Sequence, residues 1–286
     1  MYDTIIVGAG SAGCVLANRL SADPHRKVLV LEAGRAAPVA SDIPSDWPTM
    51  FNTAVDWSYY TEPQAGCRGR RIFWPRGKMI GGSGAMNAMI YIRGLPSDYD
   101  GWAQAGCEGW AWRDVLPKLI AFENNARFTD DPFHGTSGPL HVADVPHVDP
   151  NELKWLEAAQ AAGLPHNPNF SDIATMIEGV RINRRIAAQF PLKEMIEGEI
   201  TPSAEAVSDA EIAEYIRGHC TTLYHAASTC RMGTDDLAVV DPKRLQVRGI
   251  DGLHVADASV IPIMISGNIQ TPTILIAECA ATAILG

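Results

Sequence analysis

The run Asp3-Thr4-Ile5-Ile6-Val7 leads into Gly8-Ala9-Gly10-Ser11-Ala12-Gly13, and a second apolar run, Lys27-Val28-Leu29-Val30-Leu31, ends on Glu32. Between them Cys14, Val15, Leu16, Ala17 and Leu20 recur at helical spacing. A strand, a glycine turn, a helix and a second strand in that order make a βαβ dinucleotide site. Gly8 permits the tight turn, Gly10 lets the backbone close on a pyrophosphate, and Gly13 lets helix and strand pack together. The helix start at Ser11 and Ala12 offers unpaired N–H groups and the positive end of the helix dipole to phosphate. Glu32 stands 19 residues past Gly13, where a carboxylate can hold the hydroxyls of an adenosine ribose. An acid there disfavours a 2′-phosphate, so FAD or NAD is expected rather than NADP.

A chain of 286 residues with 47% hydrophobic composition can build one large core or two modest ones. Its formal charge of -10 and the lack of a basic run argue against nucleic acid as a partner. The first strand begins within a few residues of Met1, which leaves no room for a secretory leader and makes a cytoplasmic location the expectation. The most apolar late stretch, 273–285, is interrupted by Glu278 and is too short to span a bilayer, so no transmembrane segment is expected. Six cysteines are scattered without a C-x-x-C pair. They read as reduced, mostly buried thiols, with no zinc or other metal site.

After Gly34 the segment 37–64 is rich in Pro, Trp and polar residues and reads as a long surface excursion of the functional kind. The next segment, 76–91, crowds Gly77, Gly81, Gly82, Ser83 and Gly84 ahead of an apolar end, a density that lets backbone approach a flat or charged group closely. From Tyr99 a helical pattern carries Trp102, Trp110, Trp112, Val115, Leu116, Leu119, Ile120 and Phe122 as core. Asp149-Pro150-Asn151-Glu152 opens a helix with Leu153, Leu156 and Ala159 on its apolar face and Gly163 as its stop. A capping box, Ser208 with Glu211, opens another that ends at Gly218. Late in the chain, 253–256 reads as a short strand able to return to the nucleotide sheet and bring Asp257 with it. Ser266 to Thr273 then places polar residues at the mouth of an apolar helix, suited to a developing negative charge.

Four segments together resemble the glucose-methanol-choline (GMC) family of flavin oxidoreductases, most of all its choline and alcohol dehydrogenase members: 8–13 with Glu32, 76–94, 224–233, and 252–281. The resemblance implies an α/β fold, with a Rossmann-like FAD-binding domain (a parallel sheet with helices) assembled from N- and C-terminal segments, 1–145 and 220–286. Residues 146–219 would be a reduced, mostly helical remnant of a substrate domain. It further implies FAD, with the pyrophosphate on Gly8, Gly10, Ser11, Ala12 and Gly13 and the ribose on Glu32. Gly81, Gly82, Ser83, Asn87 and Ala88 would line the flavin side, with Asp257, Ala258 and Thr271 also at the cofactor. His225 matches the family's catalytic histidine, and Asn268 a second active-site position that holds His or Asn. Met86 stands where some relatives attach FAD through a histidine, so the FAD is expected to be noncovalent.

An imidazole titrating near neutrality suits removal of a hydroxyl proton while hydride passes from the CH–OH carbon to flavin N5. The Asn268 amide can donate to the alkoxide as charge builds. The implied partners are a small-molecule alcohol and an electron acceptor (oxygen, a quinone or another carrier), with a homo-oligomer left open. Relatives are much longer, and near Asp172-Ile173 the text passes from the family's first third to its last third. The strand at 253–256 is therefore expected to lack a neighbour in the sheet. Two further readings stand beside the oxidoreductase: a flavin-containing hydroxynitrile lyase, and a truncated, non-catalytic flavin-binding protein.

Overall fold

The computed structural model describes residues 1–144, 147–163 and 173–286. Leu164 to Asp172, and with them the Asp172 side of the seam, lie outside the described residues. The chain divides into two compact units: Met1–Tyr60, Trp74–Ala143 and Leu223–Gly286 form the first, Thr61–Phe73 and Asp144–Thr222 the second.

The first unit opens with β1 (Thr4–Val7), α1 (Ser11–Leu20) and β2 (Val28–Leu31). β1 and β2 run parallel in register from Thr4 opposite Val28 to Val7 opposite Leu31, which is the expected βαβ unit. Further on lie α2 (Pro96–Gln104), α3 (Trp112–Phe122) and a short parallel pair, β3 (Glu123–Asn125) with β4 (Leu140–Val142). The unit closes with α7 (Gln270–Leu285). Tyr99, Trp102, Trp110, Val115, Leu119 and Phe122 are buried together with Leu275 and Ile276 of α7. The polar handles of the large aromatics are satisfied: Trp102 donates to the Ile263 carbonyl and Trp110 to the Pro242 carbonyl, each at 2.8 Å.

Helices α1 and α7 run parallel and in step. Ser11 and Gln270, the first residue of each, are hydrogen-bonded, and eight residues further along each helix Arg19 meets Glu278. Ile6, Leu20 and Ala281 are buried between this pair and β1. Among the described residues the sheet stops at two strands. The segment 253–256 does not return to it, contrary to the sequence-based expectation. Val247 N–H donates to the Leu253 carbonyl at 2.8 Å and Val255 N–H to the Leu245 carbonyl at 3.0 Å, so the segment pairs with the turn just before it. Backbone groups bond only to a strand about 4.8 Å away, and a strand with no intervening neighbour takes the local partner instead.

The second unit holds α4 (Pro150–Ala161), α5 (Ile173–Ala187) and α6 (Asp209–His219). Both expected caps form. Asp149 accepts from Asn151 N–H at 2.7 Å, and Ser208 and Glu211 exchange hydrogen bonds. The buried face of α4 matches the expected one in part: Ala159 is buried, together with Ala158 and Ile186, whereas Leu153 is exposed. The small side chains sit inside because they let the neighbouring helix come close; the side chain of Leu156 lies outside the described residues.

Candidate functional site

The glycine turn after β1 is drawn tight by the residues around it. Glu32, at the end of β2, turns its carboxylate back: one oxygen accepts from Ala9 N–H at 2.7 Å and the other from Gly34 N–H at 2.8 Å. Each oxygen keeps a lone pair free for a hydroxyl. Gly13 sits where any side chain would collide with this turn, since a Cβ on it would stand 1.9 Å from the Gly8 carbonyl oxygen. The second glycine segment then folds over the first. Gly81 N–H donates to the Ala9 carbonyl at 2.7 Å, and Gly82, at φ +55°, approaches so closely that a Cβ would lie 2.8 Å from the Gly10 Cα. Gly8, Gly10, Ser11, Ala12, Gly13, Gly81 and Gly82 are thereby brought to one place.

Two helices begin at that place. Ser11 Oγ is 3.0 Å from Gln270 Oε1 and 2.9 Å from Gln270 Nε2, so the N-termini of α1 and α7 face the same side and their positive dipole ends add. Thr271, in the first turn of α7, is fully buried, and among the described residues its Oγ1 has no hydrogen-bond partner. A buried hydroxyl without a partner costs free energy unless a ligand satisfies it. A close-packed glycine cradle, two helix mouths and an orphan hydroxyl on one of them fit a phosphate-bearing cofactor.

The remaining cofactor candidates are placed differently. Ser83 is exposed, and its Oγ accepts from Gly77 N–H at 3.1 Å. Asn87 Oδ1 accepts from Met89 N–H at 2.8 Å, and Ala88 is exposed. Asp257 caps a single turn, Ala258–Val260, by accepting from Ser259 N–H and Oγ. Ala258 packs against the core of the first unit. Met86 is buried against Met50 and Met79.

His225 and Asn268 meet directly, with the histidine Nε2 2.8 Å from the Asn268 amide nitrogen. An amide N–H can only donate, so Nε2 carries the lone pair and the ring proton belongs on Nδ1. The segment holding His225 is fixed at both ends. Tyr224 and Ser228 adopt left-handed backbone at φ 69° and 71°, a conformation unfavourable for side chains of their size. Tyr224 packs edge-on against Phe51 at 5.6 Å, and beyond Ser228 the strand-like run 230–232 bonds to 259–260. The Asn268 loop is held by Asp98 of α2, which accepts from Ser266 N–H and from Ser266 Oγ, each at 3.0 Å.

Burial, and secondarily the Arg76 guanidinium, hold the His225 imidazole below its ordinary value of 6.5. Arg76 is in turn placed by Asp56, a buried carboxylate that accepts from the backbone N–H groups of Asn52, Ser58 and Arg76, each at 2.9 Å. Asp56, Asp98 and Gln270 were not singled out in the sequence. A single acid, in a loop like Asp56 or in the first turn of a helix like Asp98, has no periodicity to betray it, and Gln270 is one of several polar residues at the mouth of α7 that the sequence does not rank.

Family models described as GMC oxidoreductase match residues 2–178 and 146–277. The chain belongs to the GMC oxidoreductase family. Pyridoxine 4-oxidase of Microbacterium luteolum is 36% identical over 279 residues, which cover 96% of the chain and 51% of that protein. Alcohol dehydrogenase [acceptor] of Pseudomonas putida is 44% identical over 173 residues, covering 60% of the chain and 31% of that protein. This GMC chain thus spans about half the length, or less, of these curated relatives. Its fold matches the crystal structure of pyridoxine 4-oxidase from Mesorbium loti with a TM-score of 0.90 at 22% identity, over 99% of each chain. That is the α/β, FAD-binding Rossmann-like fold expected from the sequence, and FAD is the cofactor that goes with it. Among the described residues no helix is long and apolar enough to cross a membrane, and no cluster of His, Cys, Asp or Glu could hold a metal ion.

Proposed function

We propose that this GMC chain is an FAD-dependent oxidoreductase acting on the CH–OH group of a small alcohol, with FAD held noncovalently. The observation that carries the reading is the 2.8 Å pair of His225 and Asn268, with the imidazole lone pair directed at the amide. Gly8, Gly10, Ser11, Ala12 and Gly13 would take the pyrophosphate, Glu32 the ribose, and Thr271 would donate its unpaired hydroxyl. The same assignment gives Gly81 and Gly82, then Ser83, Asn87 and Ala88, to the flavin side, and Asp257 and Ala258 to the pyrophosphate. FAD, when bound, supplies the acceptor for the hydride.

The protein's own contribution is proton handling and charge. The lowered imidazole of His225 is neutral at pH 7 and accepts the hydroxyl proton at Nε2, while the Asn268 amide donates to the oxygen as negative charge builds on it. Because the base works only when unprotonated, turnover is full above its pKa and falls as pH drops through it. The acid limb of kcat/KM should therefore lie below 6.5, and Arg76→Gln should move it upward by removing the nearby positive charge. A limb lying above neutrality, or one that Arg76→Gln leaves in place, would contradict this arrangement.

The decisive measurement is anaerobic addition of alcohol to the yellow protein, with loss of flavin absorbance expected. A lyase would leave the colour unchanged while consuming cyanohydrin, and a non-catalytic flavoprotein would bind FAD and do neither. His225→Ala should retain stoichiometric flavin and lose about 10²- to 10⁴-fold in the rate of bleaching. Bleaching at an unaltered rate in that variant would remove His225 from the chemistry.

A further inference from the structure

In the second unit, Cys67 and Cys220 are 153 residues apart in the chain, yet their sulfurs lie 3.5 Å apart. The thiols were expected to be mostly buried, but of the six only Cys107 is; Cys67 and Cys220 are half-buried and reachable. Each is held by its own local structure. Cys67 ends the single turn Ala65–Cys67, after which Arg68 takes a left-handed backbone, and Cys220 caps the C-terminus of α6.

One guanidinium spans the pair. Arg70 donates from Nε to the Cys67 carbonyl at 3.3 Å and from Nη2 to the Cys220 carbonyl at 2.5 Å, while Nη2 also lies 3.5 Å from the Cys220 sulfur. The two backbones are thus pinned to a common group and the two sulfurs face each other. A disulfide needs its sulfurs at about 2.0 Å, so closure asks for about 1.5 Å of approach, within reach of side-chain rotation.

We propose that Cys67 and Cys220 are a redox modification site that forms an intramolecular disulfide by exchange with a small-molecule disulfide such as oxidised glutathione. One cysteine thiolate attacks a sulfur of the small disulfide, whose S–S bond breaks and releases one thiolate. The second cysteine thiolate then attacks the protein sulfur of the mixed disulfide and expels the other. The protein dithiol gives up two electrons and two protons; the small disulfide takes both and leaves as two thiols. Burial first, then the Cys67 sulfur, pushes the Cys220 thiol up, with Arg70 opposing, so the exchange should quicken as pH rises. Cys107 and Cys279, pushed up to about 11 mainly by burial, are spectators.

The test uses the whole chain and reads no activity, so it stands apart from the assignment of the flavin site. The protein is incubated with oxidised glutathione at mildly alkaline pH, its free thiols are alkylated, and it is digested without reductant for mass spectrometry. The expected product is a linked peptide pair containing Cys67 and Cys220, at least about tenfold above any other linkage, in protein that runs as a monomer and loses the link with dithiothreitol. Cys67→Ser and Cys220→Ser should each abolish the link and leave the surviving cysteine as a glutathione adduct or an alkylated thiol. Recovery of Cys67 and Cys220 only as alkylated or singly adducted residues in the unsubstituted protein would overturn the proposal. So would a Cys67–Cys220 link found only between two copies of the chain.

Discussion

The two ends of the opening βαβ unit differ sharply. At its glycine turn the backbone is held from several sides: Glu32 binds back to Ala9 and Gly34, Gly81 bonds to Ala9, and Gln270 reaches Ser11 across 259 residues of sequence. On its sheet the opposite holds. Ile6 is buried toward the helices, but on the other face Ile5 is 56% and Val7 84% exposed, and in β2 Leu31 is 48% exposed. Parallel strands are ordinarily covered on both faces, and these apolar side chains are those of such a strand. The cofactor end therefore depends on contacts between the chain's first and last helices, while the far face of the sheet contributes little. Stability and function should respond to substitution at the first and hardly at all at the second.

The largest effect is expected at Gly13. A methyl there would stand 1.9 Å from the Gly8 carbonyl oxygen, a backbone atom that cannot swing aside as a flexible side chain would. Gly13→Ala must push α1 away from the turn, costing about 3 kcal/mol of overpacking and misplacing the N–H groups aimed at phosphate. Thermal melting and the flavin content of the purified variant measure the two consequences. Wild-type melting with full flavin would show that the turn is looser than its geometry states and would erase the contrast with the sheet.

This tight end was also the part most legible in the sequence. Glycines at fixed intervals and an acid at a fixed distance are local constraints, and local constraints leave a pattern in neighbouring residues. The caps at Asp149 and Ser208 were readable for the same reason. What escaped was set by distant partners. Asp98 fixes the Ser266 loop across 168 residues, and nothing near Asp98 in the chain hints at it. The pairing of 253–256 differs from the expectation because a short apolar run does not say which neighbour it will find; among the described residues the sheet has no strand beyond β1 and β2 to lead to it, and the turn at 245–247 is closer. On α4, Leu153 and Ala159 both followed the helical period, but only Ala159 is buried, beside Ala158, because that is where the packing partner Ile186 lies.

A smaller effect is expected at the far end of the α1–α7 contact. Arg19 grips Glu278 with both Nε and Nη2 at 2.8–3.1 Å, and the Glu278 side chain is only 18% exposed. Arg19 itself is 38% exposed, so solvent screens part of the attraction. Arg19→Ala should cost about 1 kcal/mol, less in high salt, without altering flavin content while Ser11 and Gln270 still join the helix mouths. A denaturant titration at low and high ionic strength gives both numbers. If flavin were lost along with the ion pair, the two ends of the helix contact would be one cooperative element rather than two.

The smallest effect belongs to the open face. Val7 retains 84% of its exposure, so it has little buried area to lose, and threonine keeps the branched shape that suits a strand. Val7→Thr should change the free energy of unfolding by less than about 0.5 kcal/mol, because only a residue already covered can repay its covering. A loss of 2 kcal/mol or more, read from the same denaturant titration, would mean that the face is shielded in solution by something that the isolated chain does not supply. The sheet would then be as tightly engaged as the glycine turn.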